Sequence, residues 1–329
     1  MRKLTSVDVC SGAGGLALGL ERAGFNPVLL LDNKAIACET LRRNRPAWNI
    51  TEMNLLDFDP IENPDPYDPD AFEVDLLSAG LPRVKSSATT KRVETGLELR
   101  LLKATVHLAA HVIQPKALLI ENVPDLVTAP EFEEVRGFIQ SELLHLDYKF
   151  HWFVVNAADF GVPQDRKQGV LVALKSQLFD RFHAPAPTVA RHITAGEALL
   201  SSMSARGWGD AEAWATQANR VAPTLVGGSD NRGGADLGLT GTKKVWAQMG
   251  INGGALSDEV PGPNGIQESD TSGSSLKKLT VEQTAILQSF PDDWIFTGKK
   301  TLRYRQIGHA SPPPVGEALG RAIATALRG

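Results

Sequence analysis

A glycine-rich turn and a later carboxylate are the features of this chain best suited to hold a ligand. Asp8-Val9-Cys10-Ser11-Gly12-Ala13-Gly14-Gly15 joins an apolar strand to a helix. Its glycines allow a tight turn and close approach of backbone to ligand, and the start of the helix favours an anionic group. Asp32 ends the next apolar run. A carboxylate there can accept hydrogen bonds from both ribose hydroxyls, so the two features together read as a nucleoside site. A ligand-free structural turn is the competing reading. No Gly-Lys-Ser/Thr follows, which excludes a Walker phosphate loop.

The elements that must position these residues alternate through the first half. Strands are predicted over 5–10, 27–31, 74–78, 117–120, 150–156 and 169–174. Helices are predicted over 14–24, 36–44, 97–112 and 132–146. Such alternation implies an α/β fold with a doubly wound, mostly parallel sheet. After Leu174 the texture changes, and 226–275 is rich in Gly, Asp, Ser and Asn with weak periodicity. That stretch reads as part of a smaller, loop-rich domain. Helical patterning returns over 280–288 and 315–327. The expected division is 1–175 for the first domain, 176–305 for the second, and 306–329 for a segment packing back on the first.

Composition excludes several classes. A chain of 329 residues with 42% hydrophobic and 22% charged residues is ordinary for a globular protein. No run is long and apolar enough to span a membrane, and no signal-peptide pattern opens the chain, so no membrane partner and a cytoplasmic location are expected. The two cysteines, Cys10 and Cys38, form no metal-ligand pattern, so no metal is expected. Net charge is -4, but Lys299, Lys300, Arg303 and Arg305 cluster in one short stretch. That cluster reads either as a phosphate-binding face or as a solvated loop.

Further motifs follow in order. They are Ile120-Glu121-Asn122-Val123; Asn156-Ala157-Ala158-Asp159-Phe160-Gly161-Val162-Pro163-Gln164-Asp165-Arg166; Leu287-Gln288-Ser289-Phe290-Pro291-Asp292-Asp293-Trp294; and Tyr304-Arg305-Gln306-Ile307-Gly308-His309-Ala310-Ser311-Pro312-Pro313. Together with the first turn they resemble the DNA cytosine-C5 methyltransferase family, nearly end to end. The resemblance lapses mainly in 226–275, where that family keeps its variable target-recognition segment. It implies the S-adenosylmethionine-dependent methyltransferase fold, S-adenosyl-L-methionine as cofactor and duplex DNA as partner. Asp8, Cys10, Ser11, Gly12, Ala13, Gly14 and Gly15 would surround the cofactor, and Asp32 would hold its ribose, with Asn33 beside it. Asn54 and Leu55 would meet the adenine, the Asn54 amide oxygen accepting from its amino group. Pro82 and His309, at the Asn of the family's late Gly-Asn pair, complete the expected cofactor set.

The resemblance also implies a chemistry: a flipped-out cytosine, attacked by a Cys thiolate. Here the chain departs from the family. Arg83 stands at the nucleophile position, and Arg has no lone pair to donate. Glu121 and Asn122 are kept, as is Arg166 of the Gln-x-Arg-x-Arg motif, while its second Arg is Gln168. The former catalytic loop reads Arg83-Val84-Lys85-Ser86-Ser87.

Two functional readings result. In one, a pseudoenzyme of a DNA methylation or restriction-modification system binds DNA without standard methyl transfer, alone or beside an active methyltransferase or a restriction-associated partner. Arg83, Lys85, Ser87, Lys91 and Arg92 would then clamp DNA together with the cluster at 299–305, unless the loop has simply drifted. In the other, an active enzyme uses altered base chemistry, with Glu121 as acid or base. An RNA target gains nothing, because that branch of the family also needs the Cys.

Overall fold

The computed structural model describes residues 2–61, 74–84, 96–228, 234–267 and 275–329. The chain forms two compact units. The first comprises Met1–Val155, Lys167–Ala186 and Val315–Gly329; the second comprises Asn156–Arg166 and Pro187–Pro314.

In the first unit the chain runs β1 (Leu4–Val9), α1 (Gly15–Arg22), β2 (Phe25–Asp32), α2 (Ala35–Asn44), β3 (Ile50–Glu52), β4 (Leu76–Gly80), α3 (Leu97–His107), β5 (Ala117–Asn122), α4 (Pro124–Thr128), α5 (Glu133–His145) and β6 (Tyr148–Asn156). After the short strand β7 (Gln164–Asp165) come β8 (Lys167–Lys175) and α6 (Ser176–Phe179). Seven strands form one sheet in the order β3-β2-β1-β4-β5-β8-β6. The pairs from β3 through β5 are parallel, and β8 runs antiparallel to β5. Central parallel strands are covered on both faces, which is why they read as apolar runs rather than alternating ones. Leu29 to Leu31, Leu76, Leu77, Leu118 to Ile120 and Val170 to Leu174 are all buried.

This sheet is the doubly wound, mostly parallel sheet expected of the sequence. The register brings the strand ends together: Val9 lies opposite Ala79 and Gly80 opposite Glu121. The helix predicted over 97–112 ends as a regular α-helix at His107 and continues to Ile113 as a wider π-turn. The three-residue β3 was not anticipated, being too short to show a period. The terminal helix α12 (Pro313–Arg328) packs on α1: a Cβ on Gly316 would lie 3.0 Å from Leu16 O.

In the second unit, α7 (Ala195–Ser204), α8 (Ala211–Gln217), β9 (Ala222–Pro223), α9 (Thr240–Gln248), α10 (Val281–Leu287) and α11 (Lys300–His309) surround buried Met203, Trp246, Leu279 and Tyr304. Capping boxes at Thr194–Glu197 and Thr280–Gln283 start α7 and α10. Buried amides knit it together: Gln164 donates to Leu287 O at 3.0 Å, and Gln288 donates to Ile307 O at 2.6 Å. α7 and α8 were missing from the sequence reading. Among the described residues of the loop-rich stretch 226–275, α9 is built around buried Trp246.

Candidate functional site

The turn after β1 is formed by three left-handed residues, Cys10 at φ 54°, Gly12 at 54° and Gly14 at 85°. Glycine adopts that conformation freely and Cys10 does not, so the turn holds a strained non-glycine residue. Gly14 caps α1 without any side-chain hydrogen bond. A Cβ on Gly12 would meet no atom within 4 Å, so the turn opens on free space.

Asp32 ties this turn to β2. Its carboxylate accepts from Gly12 N at 2.7 Å and Lys34 N at 2.8 Å. Burial raises its pKa, and those two amides oppose the rise. Two lone pairs per oxygen leave it able to accept from further hydroxyls. Asn33, next to it, is exposed. Asp8 lies beneath the turn, where Ser78 Oγ donates to its Oδ1 at 2.5 Å while Oδ2 is buried without a partner. Burial pushes the Asp8 carboxyl from 3.8 up to about 7; Ser78 opposes this, and Asp32 and Glu121 add to it. Ser11 turns inward and donates to Asp8 O at 2.9 Å. The Cys10 thiol is pushed up to about 12, chiefly by burial, so it packs and does not ionise.

The next pair of strand ends carries the acidic group. Glu121 accepts a short hydrogen bond from Gln168 Nε2. Asn122 Oδ1 accepts from Val84 N at 3.0 Å and Val123 N at 2.9 Å, while its Nδ2 donates to Pro82 O at 3.2 Å. Asn122 thus fixes the backbone on both sides of Arg83. The Arg83 guanidinium is largely withdrawn from water, which lowers its pKa, and the Glu121 charge opposes that shift. Pro82 is exposed at the rim. Nearby, Cys10 O lies 3.6 Å from where a Cβ on Gly80 would stand. The first unit therefore brings together Asp8, the 10–15 turn, Asp32, Arg83, Glu121, Asn122 and Gln168.

Several expected residues are engaged otherwise. Asn54 Oδ1 accepts from Leu56 N at 3.1 Å and so caps a short turn, while Leu55 is buried in the core. The oxygen expected to read adenine already has a backbone partner. In the second unit the buried Arg166 guanidinium donates to Leu225 O at 3.0 Å and Gly308 O at 3.1 Å. It braces that unit internally. His309 bonds Gly228 O at 3.0 Å through Nε2.

The basic cluster is also partly committed. Lys300 pairs with Asp258 at 2.6 Å, Arg303 pairs closely with Glu282, Arg305 is half-buried and Lys299 is exposed. Lys85, Ser87, Lys91 and Arg92 lie outside the described residues. Sequence reasoning missed Asn122 as the anchor of 82–84 and Ser78 as the partner of Asp8; no periodic signal marks either. Among the described residues no group of three or more His, Cys, Asp or Glu could hold a metal, and no helix is long and apolar enough to cross a membrane.

Comparison with known proteins bears on this geometry. Residues 4–325 match the family described as C-5 cytosine-specific DNA methylase. The chain is 41% identical over 334 residues to the Type II methyltransferase M.NaeI of Lentzea aerocolonigenes, covering 99% of this chain and 76% of that one. It is 38% identical over 331 residues to the Type II methyltransferase M.NgoMIV of Neisseria gonorrhoeae, covering 99% of each. Among solved structures, a DNMT2 variant of Spodoptera frugiperda superposes with a TM-score of 0.65 at 12% identity, over 98% of this chain and 99% of that one. A methyltransferase of Entamoeba histolytica, EhMeth, gives 0.63 at 14%, over 98% of each. At such identities the two structures speak for the fold alone.

Proposed function

We propose, from the premise that this chain belongs to the C-5 cytosine-specific DNA methylase family, that it binds duplex DNA and S-adenosyl-L-methionine without carrying out standard C5 methyl transfer. The family takes its methyl group from S-adenosyl-L-methionine, whose sulfonium supplies an electrophilic methyl when bound. Asp32 and the 10–15 turn fit that ligand: the carboxylate accepts two backbone amides with lone pairs to spare, and Gly12 faces open space. Asp32 would hold the ribose, and the first amides of α1 would meet the anionic end.

The observation that carries the reading is Arg83, held at the end of the neighbouring strand beside Glu121. Attack on a cytosine ring needs an electron pair, and a guanidinium has none to give. Lowering its pKa by burial does not change this, since Arg stays protonated at any physiological pH. The Glu121 carboxylate is engaged by Gln168, where the family motif calls for an Arg. Such a protein would occupy DNA sites as part of a DNA methylation or restriction-modification system, a role in keeping with relatives named Type II methyltransferases. Lys299 and the loop cations would supply phosphate contacts.

The test is transfer of labelled methyl from S-adenosyl-L-methionine to mixed-sequence duplex DNA, with binding of both followed in the same samples. Binding without transfer is the expected result. Transfer by the native protein would overturn the reading and point instead to altered chemistry at Glu121.

A further inference from the structure

The chain holds two Asn-Gly pairs, Asn252-Gly253 and Asn264-Gly265, both in the second unit. An asparagine before glycine can react with its own chain. The glycine nitrogen attacks the side-chain carbonyl carbon, and glycine has no Cβ to block the approach. The two pairs differ in how that nitrogen and that carbonyl are held.

At Asn264 the nitrogen is taken. Gly265 N donates to Gly262 O at 2.8 Å, in a tight turn closed again by Gly262 N donating to Ile266 O at 2.9 Å. Gly265 lies at φ 69° against Trp208, whose Nε1 is 2.8 Å from where a Cβ would stand. At Asn252 the arrangement is reversed. Gly253 N makes no hydrogen bond among the described residues, while Gly253 O accepts from Leu237 N at 2.9 Å. Asn252 Oδ1 accepts from Gly254 N at 2.9 Å. That bond closes a ring containing both Asn252 Cγ and Gly253 N, and so folds the side-chain amide back over the peptide that follows it. The same donor polarises the carbonyl and would stabilise charge developing on Oδ1 during attack.

We infer that Asn252 is a site of self-modification, a deamidation completed by water. Gly253 N gives its proton to hydroxide and bonds to Asn252 Cγ. The Cγ–Nδ2 bond then breaks, and the nitrogen leaves as ammonia with a proton from water, which regenerates the hydroxide. Water opens the resulting five-membered imide at either carbonyl, giving Asp or its β-linked isomer. The net change is amide plus water to carboxylic acid plus ammonia, with no other reactant. The product adjoins α9. A Cβ on Gly253 would stand 3.2 Å from Lys243 Cγ and 3.5 Å from Leu237 Cβ. Lys243 pairs with Asp236 at 3.1 Å. A new negative charge thus appears one residue from Lys243, and the added backbone methylene of the β-linked isomer displaces the carbonyl that Leu237 N bonds.

The full chain would be aged in mildly alkaline buffer, folded and in urea, and its peptides weighed for exchange of the amide –NH2 for –OH. In the folded chain Asn252 should react roughly 10-fold or more faster than Asn264, which must first release the Gly265 hydrogen bond. Exposure alone predicts the opposite order, since Asn264 is exposed and Asn252 half-buried. In urea the two rates should converge, because the following residue is then the same and nothing holds the geometry. Gly253→Ala should slow Asn252 by about 10-fold, and an unchanged rate at Asn264 shows that its fold survives. In the aged protein the Leu237 amide should exchange with deuterium several-fold faster than in fresh protein.

Equal rates at the two sites in the folded chain, a faster Asn264, or a ratio that is the same folded and in urea each overturns the inference. So does a folded chain that leaves Asn252 intact while the chain in urea reacts, or a Gly253→Ala variant as fast as the native protein.

Discussion

The turn after β1 and the strand ends at Arg83 and Glu121 lie side by side in one unit, yet they stand in different chemical condition. At the turn, Asp32 receives two backbone amides, Gly12 faces open space, and the glycines lie where their freedom is used. At the strand ends the backbone is equally well held, by Asn122, but the side chains presented are a cation and a glutamine-bound carboxylate. Scaffold and reactive groups are therefore separable. A site can keep the geometry that binds while the group that reacts is replaced, because backbone hydrogen bonds are indifferent to which side chain projects between them.

The largest effect expected from breaking this contrast comes from restoring the reactive groups. Arg83→Cys with Gln168→Arg should raise methyl transfer by about 100-fold or more over the native protein, the scale of one lost transition-state group. Labelled-methyl incorporation into DNA measures it. No gain with cofactor still bound would mean that the strand ends differ in more than these two side chains.

Next in size is the buried acid under the turn. Asp8 titrates near 3.8 when free and about 7 when folded, so between those values the folded chain keeps a proton that the unfolded chain has released. Stability should thus fall as pH rises from about 4 to about 7 and change no further through this group, by roughly 1.4 kcal/mol per pH unit at most. Asp32 shifts in the same direction and adds to the slope. Melting curves of Asp8→Asn should be flatter across that window; an unchanged slope would remove Asp8 as its source.

A smaller change sharpens the other side. Asn122→Ala removes three hydrogen bonds, two of them flanking Arg83, and should cost about 1–3 kcal/mol in chemical denaturation. Cofactor binding at the turn should be nearly unaffected, and a parallel loss of both would show that the two regions are coupled. The smallest effect belongs to Asp32→Asn. The amide keeps one acceptor oxygen and loses the charge, so cofactor binding by calorimetry should weaken by about 10-fold, the scale of a charge-assisted bond.

Much of the fold could be read directly from residue patterns. Strands buried on both faces appear as apolar runs, so β1, β2, β4, β5 and β8 were predicted to within a few residues. The turn at 8–15 is a local feature, and so is Asp32 at the end of β2. Elements of the second unit were harder to see. α7 and α8 lie in a stretch of mixed composition, and α9 sits among Gly, Asp and Ser, where its one fully buried anchor, Trp246, gives no period. Long-range roles had no local trace. Nothing near Arg166 in the chain indicates that Leu225 O and Gly308 O take its guanidinium. Likewise, nothing near Asn54 in the chain shows that its oxygen caps a short turn by accepting from Leu56 N.

By itself the sequence determined the family, the alternating strands and helices, the ligand-binding turn, and the presence of Arg at position 83, because each is a matter of residue type and local spacing. Only the tertiary structure decided that Arg83 is pinned by Asn122 beside Glu121, that Asp8 is buried with a free oxygen, and that Arg166, Lys300 and Arg303 are held by groups of their own unit. Burial and partnership are set by residues distant in the chain, and they govern both the charge a group carries and whether any of its hydrogen-bonding capacity is left for a ligand.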